Sequence, residues 1–295
     1  MIVVLGSINV DQVYQVDTLP KPGETRMGHG YLQVPGGKGG NQALAARRAG
    51  SEVIMLGAVG TDANKEVALS LLRQDEVNVV GVKEVDLPTG SASIWVDNTA
   101  ENSIIVNSGA NSSVTADQLQ ETVLGDGDLL VLQMEIPISE VTKAAQIAHE
   151  RGARTILNLA PYVPIDRESL RCVDYLVVNE TEATNLASYL GIEGENMETR
   201  CSHLSHELGV VCILTLGEKG VLYCEDNEII HINAIRVDAV DTTAAGDCFT
   251  GYLAAALEQQ RGLENAITYA TKGAGIACMR AGAQSSIPWA ETLDI

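Results

Sequence analysis

Short runs of apolar residues recur along the chain, each bounded by polar residues or glycine. They cover Ile2 to Leu5, Val53 to Val59, Leu129 to Met134, Thr155 to Leu159, Tyr175 to Val178 and Val211 to Leu216. Continuous apolar runs of this length are typical of strands that are buried on both faces, as in a parallel sheet. The pattern therefore predicts a mainly parallel sheet as the centre of the fold.

Helical patterns lie between these runs. Gly40 to Ala49 is followed by Gly50, and Ile138 to Arg151 is followed by Gly152, so each predicted helix ends in a glycine C-cap. Buried strands that alternate with capped helices indicate an α/β fold built from βαβ units. In such folds, ligands bind beyond the carboxyl ends of the strands.

Four further segments depart from this pattern, because their apolar residues alternate with polar ones. They are Val13 to Val16, Tyr31 to Val34, Ser91 to Val96 and Ser103 to Asn107. We predict that they form a small separate β-sheet lid, inserted at about 12–35 and 90–108 of a single domain spanning 1–295. The alternative is that they are edge hairpins of the main sheet.

Composition and charge narrow the possible functions. The 295 residues carry 19 Lys and Arg against 39 Asp and Glu, a net charge of −20, and only 4% are aromatic. So acidic a chain repels phosphate backbones and offers few rings for base stacking, which argues against nucleic-acid binding. The 45% hydrophobic content excludes a disordered chain.

The chain also carries no pattern of a membrane or secreted protein. The first residues, MIVVLGSINVD, lack a basic region, and no run of about 18 apolar residues follows. Six cysteines occur without a C-x-x-C pair, so we interpret them as reduced packing residues. The expected location is the cytoplasm.

The strongest chemical signal is the segment Asp241 to Asp247, which reads DTTAAGD and precedes the helical run CFTGYLAAALEQ. Small residues before a helix leave N–H groups open to an anion, and the helix dipole adds positive potential there. Asp247 at this position is either an ordinary acid at a helix N-terminus or a general base for a hydroxyl that attacks a phosphoryl group.

A second signal is the glycine-rich segment Pro35 to Gln42, PGGKGGNQ. It fits neither a Walker loop nor a dinucleotide fingerprint. Its glycines are expected to expose backbone N–H groups, with Lys38 as a cation and Asn41 at the head of a helix. The segment suits a polyhydroxylated or phosphorylated ligand, or it is a glycine-rich turn without a ligand.

Three polar residues follow predicted strands. Asn9 and Asp11 come just after the first strand and are suited to hold adjacent sugar hydroxyls, although an Asx-turn uses the same residues. Glu135 ends the strand LLVLQME and is expected to serve the same site rather than to stabilise the sheet.

The remaining candidates have strong structural alternatives. Asn179 and Glu182 either form a capping box or organise the water shell of a Mg²⁺ ion that is bound to nucleotide phosphates. Thr215 to Gly220 is an ordinary tight connection or a backbone cradle for a nucleotide. Cys201, His203, His206 and Glu207 have no second ligand pair, so we expect a solvated helix face rather than a zinc site.

Taken in order, these motifs resemble the PfkB-type carbohydrate kinases. The matching segments are GSINVD, GGKGGNQA, QME, VVNETEA, TLGEKGV, VDTTAAGDCFTG and MRAGAQSSIP, and they cover essentially the whole chain. The resemblance implies a ribokinase-like three-layer α/β/α sandwich with a mainly parallel central sheet and a small β-sheet lid. The lid doubles as a dimer interface in many members, which implies a homodimer.

The same resemblance implies transfer of the γ-phosphate of ATP to the 5-hydroxyl of D-ribose. Asp247 matches the catalytic base, and the backbone N–H groups of Ala244, Ala245, Gly246 and Asp247 match the anion hole. The positions that match sugar contacts are Asn9, Asp11, Gly37, Lys38, Gly39, Gly40, Asn41 and Glu135.

Cofactor sites are implied in the same way. The positions that match the nucleotide site are Asn179, Thr215, Leu216, Gly217, Glu218, Lys219, Gly220, Gly246 and Thr271, and Glu182 matches the acid near Mg²⁺. The positions that match a K⁺ site are Asp241, Thr243, Ala277, Arg280, Gly282 and Ser286. A bound K⁺ would order the loop of the anion hole.

Competing hypotheses remain at this point. The same fold could act on another pentose, a nucleoside or a sugar phosphate, or serve as a sugar- or nucleotide-binding sensor without catalysis. A nicotinamide oxidoreductase is the weakest alternative, because the dinucleotide fingerprint is missing.

Overall fold

The computed structural model describes residues 1–99, 101–122 and 124–293, so Ala100, in the turn predicted within the second lid segment, lies outside the described residues. The strands are β1 Ile2–Leu5, β2 Asn9–Val16, β3 Gly28–Gly36, β4 Val53–Gly60, β5 Val82–Val85, β6 Gly90–Val96, β7 Asn102–Asn107, β8 Leu129–Leu132, β9 Arg154–Asn158, β10 Tyr175–Asn179, β11 Val211–Thr215, β12 Val221–Glu225 and β13 Glu228–Ile232. The α-helices are α1 Lys38–Arg48, α2 Asn64–Ala68, α3 Ser70–Gln74, α4 Ile138–Glu150, α5 Arg167–Leu170, α6 Glu180–Leu190, α7 Met197–Leu208, α8 Ala245–Glu258 and α9 Leu263–Ala277. Short 3₁₀ turns cover Gly109–Ser113, Ala116–Glu121, Gly217–Lys219 and Ala290–Thr292. Among the described residues, no helix combines the length and apolarity needed to cross a bilayer.

The central sheet has nine strands in the order β13-β12-β11-β10-β9-β8-β1-β4-β5 within the described part of the chain. All neighbours pair in parallel except β11 with β12 and β12 with β13, which are antiparallel. The predicted mainly parallel sheet is thus confirmed. From β1 the chain continues to β4 on one side and later to β8 on the other, so the order reverses beside β1.

Two apolar cores lie on the two faces of this sheet. Ile2 and Val4 of β1 belong to one core with residues of α1, α8 and α9, whereas Val3 and Leu5 belong to the other core with residues of α4, α6 and α7. Successive side chains of a strand point to opposite faces, so a continuous apolar run serves both layers of helices. The three-layer arrangement follows from this pattern.

The lid is a separate sheet of four strands in the order β3-β2-β6-β7. β2 pairs in parallel with β6 and antiparallel with β3, and β6 pairs antiparallel with β7. The alternative, that these strands are edge hairpins of the main sheet, is therefore wrong. Alternating apolar and polar residues would leave one face of this sheet in solvent and cover the other, but at β7 every residue is exposed.

Two element boundaries differ from the prediction for a physical reason. β8 ends at Leu132 rather than at Met134 because Met134 N donates to the carbonyl of Ala160, which lies beyond the end of β9. α1 begins at Lys38 rather than at Gly40 because its first N–H groups find partners outside the helix, as described below.

The buried side chain of Arg48 connects α1 to the C-terminal segment by hydrogen bonds. Its Nε donates to Asp75 Oδ2 at 2.7 Å, and its Nη1 donates to the carbonyls of Gln284 and Ile287 at 2.9 and 2.7 Å. Its guanidinium carbon lies 5.5 Å from the ring centroid of Trp289. The planar five-donor guanidinium suits a site where one side chain must join three segments.

We expect Arg48→Lys to lower the free energy of unfolding by about 2 kcal/mol, because an ammonium keeps the charge but cannot reach all three acceptors. Arg73→Lys, whose exposed pair with Glu66 carries little energy, is the matched control and is expected to change stability by less than about 0.5 kcal/mol. Urea unfolding followed by circular dichroism measures both. Equal effects of the two substitutions would contradict this role of Arg48.

Candidate functional site

The candidate site lies where the strand order reverses, beyond the carboxyl ends of β1 and β8. Ser7 and Asn9 follow β1, and Gln133 and Glu135 follow β8. A crevice at such a reversal is the usual ligand site of an open α/β sheet. β2 of the lid starts at Asn9, so the lid sheet begins directly at this crevice.

The start of α1 is capped by side chains and backbone of this crevice. Glu135 Oε2 accepts from Lys38 N at 3.0 Å and from Ser7 Oγ, which lies 2.6 Å away. Gly39 N donates to Ser7 Oγ, and Gly40 N donates to the Ser7 carbonyl. The expectation that this segment exposes its N–H groups is therefore wrong for these three residues. Glu135 stabilises the helix start as well as facing the crevice.

The glycines of this segment permit close backbone contact rather than N–H exposure. Gly37 has a φ of +85°, and a Cβ there would lie 2.8 Å from Asn9 N. A Cβ at Gly39 would lie 2.6 Å from Ser7 N. Any side chain at these positions would push α1 away from the β1–β2 connection.

Asp247 lies buried on α8 and faces two amides of α1. Asn41 Nδ2 donates to its Oδ2 at 2.8 Å, and Gln42 Nε2 donates to its Oδ1 at 2.9 Å. Asn41 Oδ1 is buried and has no hydrogen-bond partner within the described residues. An acceptor in this state beside a carboxylate suits a ligand that carries hydroxyl groups.

Asn9 and Asp11 lie on the lid strand that leads out of the crevice. Asn9 Oδ1 accepts from Asn111 Nδ2 at 2.7 Å, and Asn111 Oδ1 accepts from Ile8 N at 2.9 Å. This pair orients Asn9 so that its amide N–H₂ remains available. Burial, with the nearby carboxylates of Glu135 and Asp247, raises the pKa of Asp11 to about 7.

Lys38 provides the positive charge that faces these acids. The Asp247 carboxylate raises the pKa of Lys38 against the opposing effect of burial, and Glu135, Glu182 and Asp11 add to the rise. Burial raises the pKa of Glu182, against hydrogen bonding to Asn179 N and the charge of Lys38. One ammonium therefore faces four carboxyl groups, which leaves the site with an excess of negative charge for cations to offset.

The turn into α8 offers three unpaired N–H groups. Ala244 has a φ of 59°, and Ala245 N donates to the Thr242 carbonyl at 3.2 Å. The N–H groups of Ala244, Gly246 and Asp247 have no acceptor within the described residues. Three of the four N–H groups predicted for the anion hole are therefore free, because the turn uses only that of Ala245.

Asp241 joins two loops beside this helix start. Its carboxylate accepts from Gly282 N at 2.9 Å and from Thr243 N at 2.8 Å, and its own N–H donates to the Cys278 carbonyl. Burial alone would raise the pKa of Asp241, but these backbone hydrogen bonds lower it. The other predicted positions lie at the end of α9 and in the turns after it: Ala277, Arg280 and Ser286.

A cavity of about 640 Å³ opens on the other side of the α8 start. Six of the predicted nucleotide positions line it: Thr215, Gly217, Glu218, Gly220, Gly246 and Thr271. Asn179, Leu216 and Lys219 do not. The Thr271 hydroxyl donates to the Ile267 carbonyl within α9, so this residue presents its methyl group to the cavity.

Sequence reasoning missed part of this lining. Ala274, Gly275 and Cys278 continue the α9 face that starts at the predicted Thr271, and residues between Ala234 and Ala239 also line the cavity. The spacing of small residues at i, i+3, i+4 and i+7 on one helix face was the signal that could have found them.

The capping-box interpretation of Asn179 and Glu182 is confirmed. Asn179 Oδ1 accepts from Glu182 N, and Glu182 Oε2 accepts from Asn179 N, both at 2.8 Å. Only the Oε2 atom of Glu182 is used in this way.

The Cys, His and Glu residues of α7 serve packing and surface contacts. Cys201 is buried, His203 contacts the Glu193 carbonyl, and Glu207 pairs with Arg167. Within the described residues, no group of three or more His, Cys, Asp or Glu side chains is arranged to hold a metal ion. His203, His206 and Glu207 lie on a solvated helix face, whereas Cys201 packs into the core and does not share that face.

The sequence of this chain is similar to those of known carbohydrate kinases. The model of the pfkB family of carbohydrate kinases matches residues 1–290. A ribokinase from Haemophilus influenzae is 37% identical over 289 residues, which are 97% of this chain and 94% of that protein. The chain belongs to the pfkB family of carbohydrate kinases.

Solved structures agree with this membership. A ribokinase from Thermotoga maritima superimposes with a TM-score of 0.93 at 36% identity, covering 99% of this chain and 97% of that one. A ribokinase from Arabidopsis thaliana, solved with ribose and ATP, gives a TM-score of 0.89 at 30% identity, covering 99% and 96%. These likenesses confirm the ribokinase-like fold with its small separate sheet.

Proposed function

We propose that this protein transfers the γ-phosphate of ATP to the 5-hydroxyl of D-ribose, giving ribose 5-phosphate and ADP. The observation that carries the proposal is the buried Asp247 carboxylate, held by two amides at a helix start with unpaired N–H groups. The carboxylate accepts the proton of the sugar hydroxyl, whose oxygen attacks the γ-phosphorus as the bond to ADP breaks. The N–H groups of Gly246 and Asp247 stabilise the negative charge on the transferred group.

The crevice supplies the contacts for the sugar. Asn9 offers an amide donor, Asp11 a carboxylate acceptor and Asn41 a buried free oxygen, a set that matches a ligand with several hydroxyls. Glu135 has an unshared oxygen on the same side. Gly37 and Gly39 let the start of α1 pack against the β1–β2 connection beside the sugar, and Lys38 attracts the transferred phosphate.

The cavity beside α8 suits the nucleotide. Its walls combine the glycine turn at Gly217 and Gly220 with small residues on α9, so a flat base can enter. Glu182 would hold Mg²⁺ through water, with the phosphates as the main ligands, since this ion keeps much of its hydration shell. Bound Mg²⁺ would neutralise phosphate charge in a site where four carboxyl groups face one ammonium.

K⁺ is proposed beside the start of α8. The Asp241 carboxylate already joins the two loops that would surround the ion, and backbone carbonyls of Thr243, Ala277 and Arg280, with Gly282 and Ser286, complete the predicted set. A monovalent cation there would offset the charge of Asp241 and hold the turn that presents the Gly246 N–H.

We expect K⁺ to raise kcat severalfold over Li⁺ at equal ionic strength. Asp241→Ala should remove this difference while the protein still binds ribose, because the sugar contacts lie in the other half of the site. Coupled ADP detection across a K⁺ titration measures the first effect, and calorimetry measures ribose affinity. Undiminished activation in Asp241→Ala would contradict the placement of the ion.

The substrate is tested by ADP release across a panel of ribose, 2-deoxyribose, other pentoses, nucleosides and sugar phosphates. The proposal requires the highest kcat/KM for ribose. A higher kcat/KM for another acceptor would show that this acceptor, and not ribose, is the substrate. Binding without ADP formation at any K⁺ concentration would support a sensor. In either case the proposal would be wrong.

We further propose a homodimer through the lid. Val13, Leu32, Ile94 and Ile104 stand in one row across the four lid strands, on the same face as Asp11. Leu32 and Ile104 are 57% and 52% exposed. An apolar face of this kind on a sheet with two free edges supports pairing with a second copy.

Ile104→Lys is expected to convert the dimer to a monomer at micromolar concentration in analytical ultracentrifugation. Ile105→Lys is the matched control, because the neighbouring residue lies in the row of Gln12, Gln33 and Ser93 on the opposite face. A monomeric wild type, or equal dissociation by both substitutions, would contradict the interface.

The cytoplasmic location is also a proposal, supported by six cysteines that are free thiols.

A further inference from the structure

Gln42 is a fully buried glutamine whose side chain is completely hydrogen-bonded. Its Nε2 donates to Asp247 Oδ1 at 2.9 Å and to Asn158 Oδ1 at 3.0 Å. Its Oε1 accepts from Gln133 Nε2 at 2.8 Å. Two donors and one acceptor are therefore engaged, across elements that lie far apart in the chain.

The orientation of this amide chain depends on the Asp247 carboxylate. An ionised carboxylate only accepts, so Gln42 must turn its N–H₂ group toward Asp247. Its oxygen then faces Gln133, which must donate in turn. The ends of β8 and β9 are thus connected through Gln42 to the first turn of α8.

The two oxygens of Asp247 have different surroundings. Oδ1 is held by Gln42, whose other partners are buried side chains. Oδ2 is held by Asn41, whose own oxygen is buried and without a partner in the described part of the chain. Gln133 Oε1, at the end of the amide chain, is also buried without a partner in the described residues, but it lies against Gly6. Asn41 Oδ1 therefore marks the side on which a hydroxyl would enter, so Oδ2 faces the substrate and Oδ1 faces the amide chain.

We propose that Gln42 is a positioning residue that fixes the plane of the Asp247 carboxylate and directs Oδ2 at the substrate hydroxyl. Two donors on two different oxygens prevent rotation of the carboxylate. Without the Gln42 donor, Asn41 is the remaining side chain that donates a hydrogen bond to the Asp247 carboxylate. That bond goes to Oδ2, the oxygen that must also take the proton. This inference rests on the proposed role of Asp247 as the base.

Gln42→Met keeps the length of the side chain and removes both donors. We expect kcat to fall about 10- to 100-fold while KM for ribose and for ATP changes less than about threefold, because misplacing a reacting group costs rate rather than ground-state affinity. Gln42→Glu, which keeps the shape but cannot offer an N–H₂ group, is expected to lower kcat at least as much.

Gln118→Met is the matched control for loss of a buried amide. Gln118 is 1% exposed and donates to the carbonyls of Gly57 and Gly81, without contact to Asp247. We expect its melting temperature to fall as in Gln42→Met while its kcat stays within about twofold of the wild type. A purely structural role of Gln42 predicts the same kcat for both variants and would overturn the proposal.

A double-mutant cycle decides whether Gln42 acts through Asp247. In the Asp247→Ala background, Gln42→Met should lower the residual kcat less than about twofold, because the group that it positions is gone. The same 10- to 100-fold loss in both backgrounds, or a change confined to KM, would overturn the proposal.

The cycle is measured with the sugar that the wild type turns over best. Its outcome is therefore independent of whether that sugar is ribose. A fully active Asp247→Ala would overturn the base assignment itself, and a fully active Gln42→Met beside an impaired Asp247→Ala would overturn the inference on Gln42 alone.

Discussion

Asp247→Ala is expected to lower kcat about 10²- to 10⁴-fold, the range that a positioned general base contributes. The Asp247 carboxylate is buried and accepts a hydrogen bond on each oxygen. It lies in the first turn of α8, where the N–H groups of Gly246 and Asp247 are free within the described residues. Removal leaves the nucleotide cavity and the sugar contacts of the lid intact, so ribose and ATP should still bind. Single-turnover ADP formation measures the rate, and calorimetry measures binding.

The competing explanation is that Asp247 only stabilises a helix N-terminus. Glu264→Ala tests it, because Glu264 is an exposed acid in the first turn of α9 and lies outside the site. We expect the Glu264 variant to keep full turnover and to lose at most about 1 kcal/mol of stability. Undiminished turnover in Asp247→Ala would show that Asp247 is not the base.

Asp11→Asn is expected to act in opposite directions on binding and on stability. At pH 8 the wild-type carboxylate is ionised and can accept two hydroxyl hydrogen bonds, so its loss should weaken ribose binding about 10²-fold. Stability should rise at the same pH, because an ionised carboxylate near Glu135 and Asp247 in a buried position is unfavourable.

The sign of the pH dependence follows from the raised pKa of Asp11, about 7 in the folded protein against 3.8. Between these values the folded state holds a proton that the unfolded state has lost, so this group's contribution to stability falls as pH rises from about 4 to about 7. The neutral side chain of the Asp11→Asn variant removes this loss of folding stability, which is on the order of 2 to 4 kcal/mol.

Thermal unfolding at pH 5 and pH 8 measures this effect. We expect Asp11→Asn to be clearly more stable than the wild type at pH 8, with a gain at pH 5 that is less than half as large. Asp97→Asn, at an exposed lid position where hydrogen bonds from Thr99 lower the pKa of the acid, should give no gain at pH 8. A stability difference for Asp11→Asn that is the same at both pH values would refute the raised pKa.

Much of the fold was accessible from the sequence because its signals are local. The apolar runs of β1, β4 and β11 predicted buried parallel strands, and the alternating residues of β6 predicted a separate sheet. The segment before α8 predicted a helix start with free N–H groups. Each of these signals depends on neighbours within about ten residues.

The side-chain contacts of the site were not accessible in the same way. Glu135 caps α1 from 97 positions away in the chain, and Gln42 contacts Asp247 across 205. Such contacts depend on how β8, α1 and α8 come together, which residue type and spacing do not reveal. The same limit explains why the N–H groups after Gly37 were expected to be free, although Ser7 and Glu135 already accept from them.

The most direct test of the account is the identity of the product. Wild-type protein incubated with ATP, Mg²⁺, K⁺ and ribose should give one phosphate monoester whose phosphorus NMR signal is a triplet, because the ester oxygen at C5 is attached to a CH₂ group. The amount should equal the ADP formed, and Asp247→Ala should give almost none in the same time. A doublet from an ester at C1, or ADP without any sugar ester, would contradict the account.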